Sequence, residues 1–144
     1  MNQPVPHKID DHSLGTVQLR IPSTAEWVAV ARLAVAAVAN RLNFSIEDIE
    51  DVKLAVAEAC TNCIQHAQGS DQIEITCETH GDGLTVRVRD HGHGTRPETV
   101  QPQREQEPRV GGLGVFLIRS LMDNVEYDVG EGGTNLVMTK KVAS

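Results

Sequence analysis

Two polar side chains in an otherwise apolar segment are the first candidates for chemistry in this chain. Glu58 and Asn62 stand in segment 51–67, whose apolar residues recur at helical spacing. The segment therefore predicts a helix, and positions i and i+4 of a helix share one face. A carboxylate can accept a proton, and an amide oxygen can ligate a hard cation such as Mg²⁺. Taken alone, the two residues are explained more simply as a hydrogen-bonded pair on a solvated face.

Two glycine-containing segments further along the chain add candidates for close approach to a bound group. Segment 90–94, DHGHG, follows a predicted strand, and segment 111–114, GGLG, precedes a predicted apolar helix. Taken singly, the first is typical of a turn at a strand end and the second of a loop-to-helix junction. Glycine also lets a backbone pass close to a ligand, because it has no Cβ.

The order of these motifs resembles the GHKL (Bergerat) ATP-binding fold, and within it the bacterial anti-sigma-factor serine kinases of partner-switching systems. The resemblance covers roughly Val17 to the C-terminus and is carried by AVAEACTNCIQHA, VRDHGHG, GGLGVFLIRSLMDNVEY and GGTNLVMTKK. It implies an α/β two-layer sandwich in which helices cover one face of a mixed, mainly antiparallel sheet. It also implies ATP and Mg²⁺ as cofactors.

The resemblance assigns roles to single residues. Glu58 matches the catalytic base, and Asn62 matches the Mg²⁺ ligand. Asp90 matches the aspartate that accepts a hydrogen bond from the adenine amino group, and Thr134 matches a threonine near the adenine. A carboxylate in this role distinguishes adenine from guanine, which has a carbonyl at that position. Asp90 also fits a strand-end turn, and Thr134 fits the exit of a β-turn.

The glycines match the two nucleotide-binding boxes of the family. The second box would lie against the phosphates at the start of a helix, where free N–H groups and the positive dipole end favour anions. Arg104 and Arg109 could pair with phosphates or be solvated. The residues that the two boxes assign to the nucleotide are Gly92, Gly94, Gly112, Leu113 and Gly114.

Patterns along the chain predict the elements that position these residues. Alternating apolar and polar residues predict strands at 16–21, 72–78, 84–89, 124–128 and 135–142. Helical spacing predicts helices at about 24–42, 46–68 and 114–122. Ser23 with Glu26 resembles a capping box at the start of the first helix, and Ser45 caps the second. The first helix is apolar on most sides, which indicates either deep burial or a partner surface.

The segments outside these elements complete the domain prediction. Residues 1–15 contain two prolines and little apolar pattern, which predicts a mobile tail. Residues 16–144 form one GHKL-type kinase domain. Segment 95–110 is polar and proline-rich, and we interpret it as a lid over the nucleotide, with a plain surface loop as an equal alternative.

The composition narrows the class of protein. The 144 residues carry a formal net charge of −7, which argues against nucleic acid and against an anionic membrane surface as partners. The chain start has no signal-peptide core, and no run approaches the roughly 20 apolar residues of a membrane span. The cytoplasm is therefore the expected location. Aromatic residues make up only 3%, which predicts an aliphatic core.

Three cysteines, an odd number, do not make a disulfide framework. Cys60 and Cys63 form a C-x-x-C inside the predicted helix. We interpret them as small core residues. A zinc or redox role is the alternative, and it lacks a second ligand pair nearby.

The resemblance to this family implies an ATP-dependent serine-protein kinase. The expected substrate is a serine on a small anti-sigma-factor antagonist, and the expected second partner is an alternative sigma factor that the kinase sequesters. The resemblance also implies a homodimer. Three alternatives stay open: a nucleotide-dependent binding switch without phosphoryl transfer, a partner-switching kinase whose output is not a sigma factor, and a plain ATPase.

Overall fold

The computed structural model describes residues 15–66, 71–91, 107–130 and 133–143, and within 107–113 it describes only the backbone. The tail up to residue 14, Gly92, Gly94, Arg104 and most of the predicted lid lie outside these ranges. The predictions made for them stay predictions.

One five-stranded sheet forms the first layer of the molecule, with strand order β1-β2-β3-β5-β4. Every pairing is antiparallel, so the expectation of a mixed sheet is narrowed to an antiparallel one. Alternate residues of the strands are apolar and buried on one face, as in the cross-strand pairs of Val88 with Ile75 and Leu136. The strands are β1 (Thr16–Pro22), β2 (Gln72–His80), β3 (Gly83–Asp90), β4 (Asn124–Gly130) and β5 (Gly133–Lys141).

In the described ranges, three α-helices form the second layer and cover the apolar face of the sheet. They are α1 (Val28–Ala39), α2 (Ile46–His66) and α3 (Glu107–Leu121). Helix α1 packs on β1 and β2, α2 on β3 and β5, and α3 on β4, while α2 lies between the other two helices. This arrangement confirms the predicted two-layer α/β fold.

The starts of the first two helices differ in how well the sequence predicted them. Ser45 caps α2 as expected, because its Oγ accepts a hydrogen bond from the Asp48 N–H at 3.0 Å. The prediction of a capping box at Ser23 is wrong. A 3₁₀ turn (Ala25–Trp27) precedes α1, its cap is Thr24, and no side-chain cap bond forms there. The Ser23 N–H instead donates to the Asp71 carbonyl, which ties this turn to the start of β2.

Helix α3 begins seven residues earlier than predicted, at Glu107 rather than Gly114. The reason is Pro108, which the sequence analysis took for part of a loop. Proline fits the first turn of a helix, because its fixed φ is helical and the N–H that it lacks has no partner there. Gly112, Leu113 and Gly114 therefore lie inside α3. The free backbone N–H groups of a helix start, which were expected at these residues, belong instead to the first turn of α3, which begins at Glu107.

The contacts of Lys140, near the end of β5, show the relative direction of α2 and α3. Its Nζ donates to the carbonyl of Leu121 at 2.6 Å and lies 3.9 Å from Asp48 Oδ1 and 3.7 Å from Asp51 Oδ2. The first turns of α2 and the last residue of α3 therefore meet at one end of the sheet. The two helices are antiparallel, so the C-terminal half of α2 meets the earlier part of α3 at the opposite end.

Helix α1 has one buried and one exposed apolar face. Its inward residues are Ala31, Val35, Val38 and Ala39. Trp27, just before the helix, and Val30 and Leu33 within it remain exposed, with Leu33 at 62%. The helix is thus not deeply buried on all sides, which favours the alternative of a partner surface.

The core is aliphatic, as the composition predicts, and the three cysteines are part of it as free thiols. Burial raises the pKa of Cys60 to about 12 and that of Cys77 to about 11. Thiols held neutral in this way are poor nucleophiles. The described residues contain no group of three or more potential metal-ligating side chains of His, Cys, Asp or Glu. The described helices are too short or too polar to cross a membrane.

Candidate active site

The face of α2 toward α3 carries the two residues from which the sequence argument started. Asn62 is only 3% exposed, whereas Glu58 is half-buried. The Nδ2 atom of Asn62 is buried and has no hydrogen-bond partner among the described residues. An unsatisfied buried amide costs about 1–3 kcal/mol. The pair is therefore not the solvated hydrogen-bonded pair that the simpler interpretation expects.

Gly114 of α3 lies directly against these two side chains. A Cβ at this position would come within 3.3 Å of Asn62 Oδ1, 3.4 Å of Asn62 Nδ2 and 3.6 Å of Glu58 Oε1. The glycine therefore leaves space at the functional groups of both residues. The structure thus brings together Glu58, Asn62 and Gly114, although Glu58 and Gly114 are 56 residues apart in the sequence.

We predict that Gly114→Ala separates stability from activity. Alanine within a helix gains up to about 1 kcal/mol over glycine, so the free energy of unfolding should stay level or rise. The new Cβ is too close to the Asn62 amide, which must shift by a few tenths of an ångström, whereas Glu58 lies at an ordinary van der Waals distance. The misplaced amide should lower the activity roughly tenfold. Urea denaturation and a transfer assay measure the two effects. Ser120→Ala, on the exposed side of α3, is the control, and equal activity in both variants would contradict the prediction.

Asp90 ends the central strand β3 and is only 1% exposed. Its Oδ1 accepts a hydrogen bond from the backbone N–H of Thr134 at 3.3 Å, across 44 residues of sequence. Its Oδ2 is buried without a hydrogen-bond partner among the described residues. Burial raises the pKa of Asp90 above its ordinary value of 3.8, and hydrogen bonds from Cys63 and Thr134 and the charge of His91 partly offset that rise.

Gly133 is a site residue that the sequence analysis missed. Its φ is +113°, a conformation that L side chains rarely adopt. A Cβ there would overlap the Asp90 carbonyl oxygen, lie 2.7 Å from Asp90 Oδ1 and lie 2.9 Å from the carbonyl carbon of His91. The signal was available in the GGT segment, where the glycine before Thr134 was treated only as part of a turn.

Gly133→Ala should therefore destabilise the protein and disturb the Asp90 carboxyl group together. We expect the free energy of unfolding to fall by about 2 kcal/mol or more, because strained backbone and a backbone overlap combine. Chemical denaturation measures the loss. Gly81→Ala is the matched control, because a Cβ at Gly81 meets nothing within 4 Å. A Gly133→Ala protein as stable as the control would show that the turn relaxes freely.

Cys63 is the second residue that the sequence analysis placed only in the core. It is buried, as predicted, but it lies next to the Asp90 side chain, with which it shares a hydrogen bond. Burial, and then the charge of Asp90, raises the pKa of this thiol far above its usual range. Since Cys63 follows Asn62 in α2, it links two clusters of side chains. We call these the Glu58 cluster (Glu58, Asn62 and Gly114) and the Asp90 cluster (Asp90, Gly133 and Thr134).

The two clusters form one candidate site at one end of the sheet. Thr134 is 3% exposed and is part of the Asp90 cluster. Gly112 and Leu113 precede Gly114 in the described backbone of α3, and Gly92 and Gly94 follow Asp90 outside the described residues. Three buried side-chain polar atoms of the described residues lack a hydrogen-bond partner. They belong to Asn62, Asp90 and Asn135, the neighbour of Thr134.

An antiparallel sheet under three helices, with a buried aspartate at the end of the central strand, defines a GHKL-type ATPase domain. Residues 21–140 match the family described as the histidine kinase-like ATPase domain. The chain belongs to this family. The match covers most of the chain, including Glu58, Asn62, Asp90, Gly114 and Thr134.

Curated relatives and one solved structure agree with this assignment. The serine-protein kinase RsbW of Listeria innocua is 42% identical over 137 residues, covering 88% of this chain and 87% of the relative. The same kinase of Bacillus cereus (strain ZK / E33L) is 39% identical, covering 88% of this chain and 84% of the relative. A crystal structure of the RsbU and RsbW domains of Rv1364c from Mycobacterium tuberculosis matches with a TM-score of 0.69 at 16% identity. It covers 90% of this chain and 33% of that one, and it shows the fold.

These findings confirm the resemblance stated from the sequence motifs. The GHKL fold is confirmed by the structural match, and the prediction of an ATP-dependent serine-protein kinase is confirmed by the two RsbW relatives.

Proposed function

We propose that this chain transfers the γ-phosphoryl group of ATP to a serine of a small anti-sigma-factor antagonist and sequesters an alternative sigma factor. One observation carries the proposal. A carboxylate, a buried amide and a glycine that leaves space beside both meet at the same end of α2 as a buried aspartate with a free oxygen. This end of the fold therefore supplies groups for a base, for a metal and for an adenine in one place.

Glu58 is the base in the proposed reaction. The serine Oγ–H bond breaks and a bond from Oγ to the γ-phosphorus forms, while the bond between that phosphorus and the bridging oxygen of ADP breaks. The proton moves to a Glu58 carboxylate oxygen, and ADP leaves with the bridging oxygen. Glu58 is half-buried rather than enclosed, which supports access of a serine carried by another protein. Positioning the hydroxyl in this way is typical of phosphoryl transfer to a protein.

Asn62 is the residue that would hold Mg²⁺. The site fits this ion, because the buried amide has an oxygen of the type that Mg²⁺ prefers. Its Nδ2, which has no partner among the described residues, is available to donate a hydrogen bond to a phosphate oxygen. Mg²⁺ neutralises charge on the phosphates when it is bound. The space beside Gly114 supports placement of phosphates next to Asn62 and Glu58. We assign Gly112, Leu113 and Gly114 to this phosphate side of the site on the basis of the family resemblance.

Asp90 is the residue that would recognise adenine. One carboxylate oxygen is held by Thr134, and the other is free to accept a hydrogen bond from the adenine amino group. A guanine would present a carbonyl to this acceptor-only group, and two acceptors repel. Thr134 completes this side of the site, and Gly92 and Gly94 are assigned to it by resemblance.

The proposed function is tested with γ-labelled ATP and an extract of the source organism. Purified protein is added, and labelled proteins are separated on a gel and identified by mass spectrometry. The expected result is one small protein labelled on a serine. Free labelled phosphate without a labelled protein would instead indicate a plain ATPase. Nucleotide binding without any transfer would indicate a nucleotide-dependent switch. Capture of sigma subunits on the immobilised protein separates a sigma-factor output from another output.

The exposed face of α1 supports a protein partner, and we propose a homodimer formed through it. Trp27, Val30 and Leu33 present apolar side chains on a chain with a net charge of −7. We place the reaction in the cytoplasm, where ATP and a sigma factor are both present. Neither nucleic acid nor a membrane is part of the proposal.

Leu33→Ser is expected to weaken the dimer. We expect Leu33, the most exposed of the three, to belong to the minority of interface residues whose truncation costs more than about 1 kcal/mol of association, so the dissociation constant should rise by roughly fivefold or more. Light scattering over a dilution series measures it. Val129→Ser is the control, because Val129 is similarly exposed at 52% but lies on β4, at the opposite edge of the sheet from α1. A monomeric wild type, or equal dissociation constants, would argue against α1 as the dimer surface.

A further inference from the structure

Lys140 joins α2 and α3 at the end of the sheet that lies opposite to the candidate site. Its Nζ donates a hydrogen bond to the carbonyl of Leu121, the last residue of α3, at 2.6 Å. The same atom lies 3.9 Å from Asp48 Oδ1 and 3.7 Å from Asp51 Oδ2, both in α2. The Lys140 side chain is only 12% exposed, so water screens these contacts less than it screens a surface ion pair. We call this arrangement the Lys140 bridge.

The electrostatics of the two helix ends favour the Lys140 bridge. A cation is stabilised at the C-terminus of a helix, where the last carbonyl groups lack helical partners, and Leu121 provides such a carbonyl. Carboxylates are stabilised near the N-terminus of a helix, and Asp48 lies in the first turn of α2. Without the ammonium group, two neighbouring carboxylates would repel each other and the Leu121 carbonyl would lose this donor. The bridge therefore holds the start of α2 and the end of α3 at a defined separation.

The spacing along the two helices connects the Lys140 bridge to the candidate site. Asp51 lies seven residues before Glu58 in α2. Leu121 lies seven residues after Gly114 in α3. Seven residues are close to two helical turns, so the members of each pair lie on the same side of their helix, about 10 Å apart. Because the helices are antiparallel, the sides that meet at the bridge meet again where Gly114 lies against Glu58.

The site end of this packed segment has little that would set the separation of the two helices. Gly114 has no side chain, and Asn62 Nδ2 has no hydrogen-bond partner among the described residues. The space there is nevertheless narrow, because a Cβ at Gly114 would lie 3.3 Å from Asn62 Oδ1. A small shift of α3 relative to α2 would therefore change the space at the functional groups.

We propose that Lys140 is a positioning residue for phosphoryl transfer. It sets the separation and register of α2 and α3 two turns away from the reacting groups. It thereby keeps Glu58 and Asn62 at a fixed distance from Gly114 and the segment of α3 that precedes it. This inference rests on the proposed roles of Glu58 and Asn62. Lys140 lies at the opposite end of the sheet from them, so it acts only through the two helices.

Lys140→Met is the first test, because it removes the ammonium group and keeps a long unbranched side chain. We expect single-turnover transfer at saturating ATP to fall roughly tenfold, since small misplacements of reacting groups have large effects on a rate. The full chain is used, with γ-labelled ATP and the acceptor protein identified in the labelling experiment. Transfer is measured at a temperature at which circular dichroism shows every variant to be folded.

Lys141→Met is the matched control. Lys141 is the next residue of β5 and is exposed, and its contact with Asp123 is made by its backbone N–H, which the substitution retains. The change in charge and in side chain is the same as in Lys140→Met. The transfer rate of the control should therefore stay close to that of the wild type.

A double-mutant cycle with Gly114→Ala separates positioning from a general loss of stability. Substitutions at distant, independent sites have additive free-energy effects, so their effects on a rate multiply. If Lys140 sets the space at Gly114, the loss caused by Gly114→Ala should shrink from roughly tenfold in the wild type to about threefold or less in Lys140→Met. A merely structural role would leave the two losses independent, and the double variant would then be slower by roughly a hundredfold.

Asp48→Asn combined with Asp51→Asn tests the α2 side of the Lys140 bridge. This double substitution removes both carboxylates and retains the hydrogen bond from Lys140 to Leu121. It should lower transfer in the same direction as Lys140→Met. If Lys140→Met does not fold, this variant takes its place in the cycle with Gly114→Ala.

The possible outcomes are distinct. Wild-type transfer in Lys140→Met overturns the inference, and so does an equal loss in Lys141→Met or independent losses in the cycle. A loss in Lys140→Met that the Asp48 and Asp51 substitutions do not share also overturns it, because Lys140 would then only cap α3. A wild type that labels no protein contradicts the proposed function itself, before any variant is compared.

Discussion

Glu58→Gln is expected to abolish most phosphoryl transfer while leaving ATP binding close to wild type. A positioned general base typically contributes about 10²- to 10⁴-fold to a rate, and glutamine keeps the shape of the side chain without its ability to take a proton. The space at Gly114 and the amide of Asn62 are unchanged by this substitution, so the phosphate side of the site stays intact. Single-turnover transfer from γ-labelled ATP to the antagonist measures the rate of phosphoryl transfer. A separate nucleotide titration measures the affinity for ATP.

Glu47→Gln is the control for this substitution. Glu47 is exposed in the first turn of the same helix, about three turns from Glu58. The chemical change and the helix are the same, but the site is distant, so transfer should be unaffected. A Glu58→Gln enzyme with more than a tenth of the wild-type transfer rate would exclude Glu58 as the base and leave it a positioning role.

Asp90→Asn has the second largest expected effect, on nucleotide affinity. A hydrogen bond to a charged acceptor is worth about 1.5–3 kcal/mol, so ATP affinity should fall roughly 10- to 100-fold. Asparagine also places an amide N–H₂ where the carboxylate had an acceptor, and its oxygen can satisfy only one of the two contacts. Calorimetric titration with ATP measures the loss.

The same substitution should raise the stability of the protein at neutral pH, although it lowers the affinity for ATP. Burial raises the folded-state pKa of Asp90 above 3.8, so the folded protein binds a proton more tightly than the unfolded chain. Between the unfolded and the folded pKa, stability from this group therefore falls as the pH rises. Above that window the ionised carboxylate remains a cost, which asparagine removes. Asp90→Asn should be more stable than wild type at neutral pH, with the difference shrinking toward pH 4.

Asp82→Asn is the control for both measurements. Asp82 lies in the exposed turn between β2 and β3, at the opposite end of β3 from Asp90. Its substitution should alter neither ATP affinity nor the pH dependence of unfolding. A neutral-pH stability of Asp90→Asn below that of wild type would mean that the carboxylate is better solvated than its burial indicates.

The elements of the fold were largely predictable because local patterns determine them. All five strands follow the alternation of apolar residues, and the start of α2 follows the Ser45 cap. Helix α3 was placed too late, since Pro108 is compatible with both a loop and a first helical turn. The sequence pattern also did not show which face of α1 is buried, because apolar residues lie on most sides of that helix.

The candidate site was predictable in part, through the order of its motifs. Glu58 and Asn62 stand out because polar residues interrupt an apolar helix, and Asp90 stands out before its glycines. Cys63 and Gly133 do not stand out, because one resembles a core residue and the other a turn residue. Their relation to Asp90 exists only across the contact of α2, β3 and β5.

The sequence by itself determined which residue types could bind a nucleotide, a metal and a proton, and which helices and strands would carry them. Those properties depend on side-chain chemistry and on spacing within a few residues. Only the tertiary structure decided that Gly114 faces Asn62, that Gly133 has no room for a Cβ, and that Cys63 lies against Asp90. These are contacts between segments tens of residues apart, and they depend on how the helices pack on the sheet.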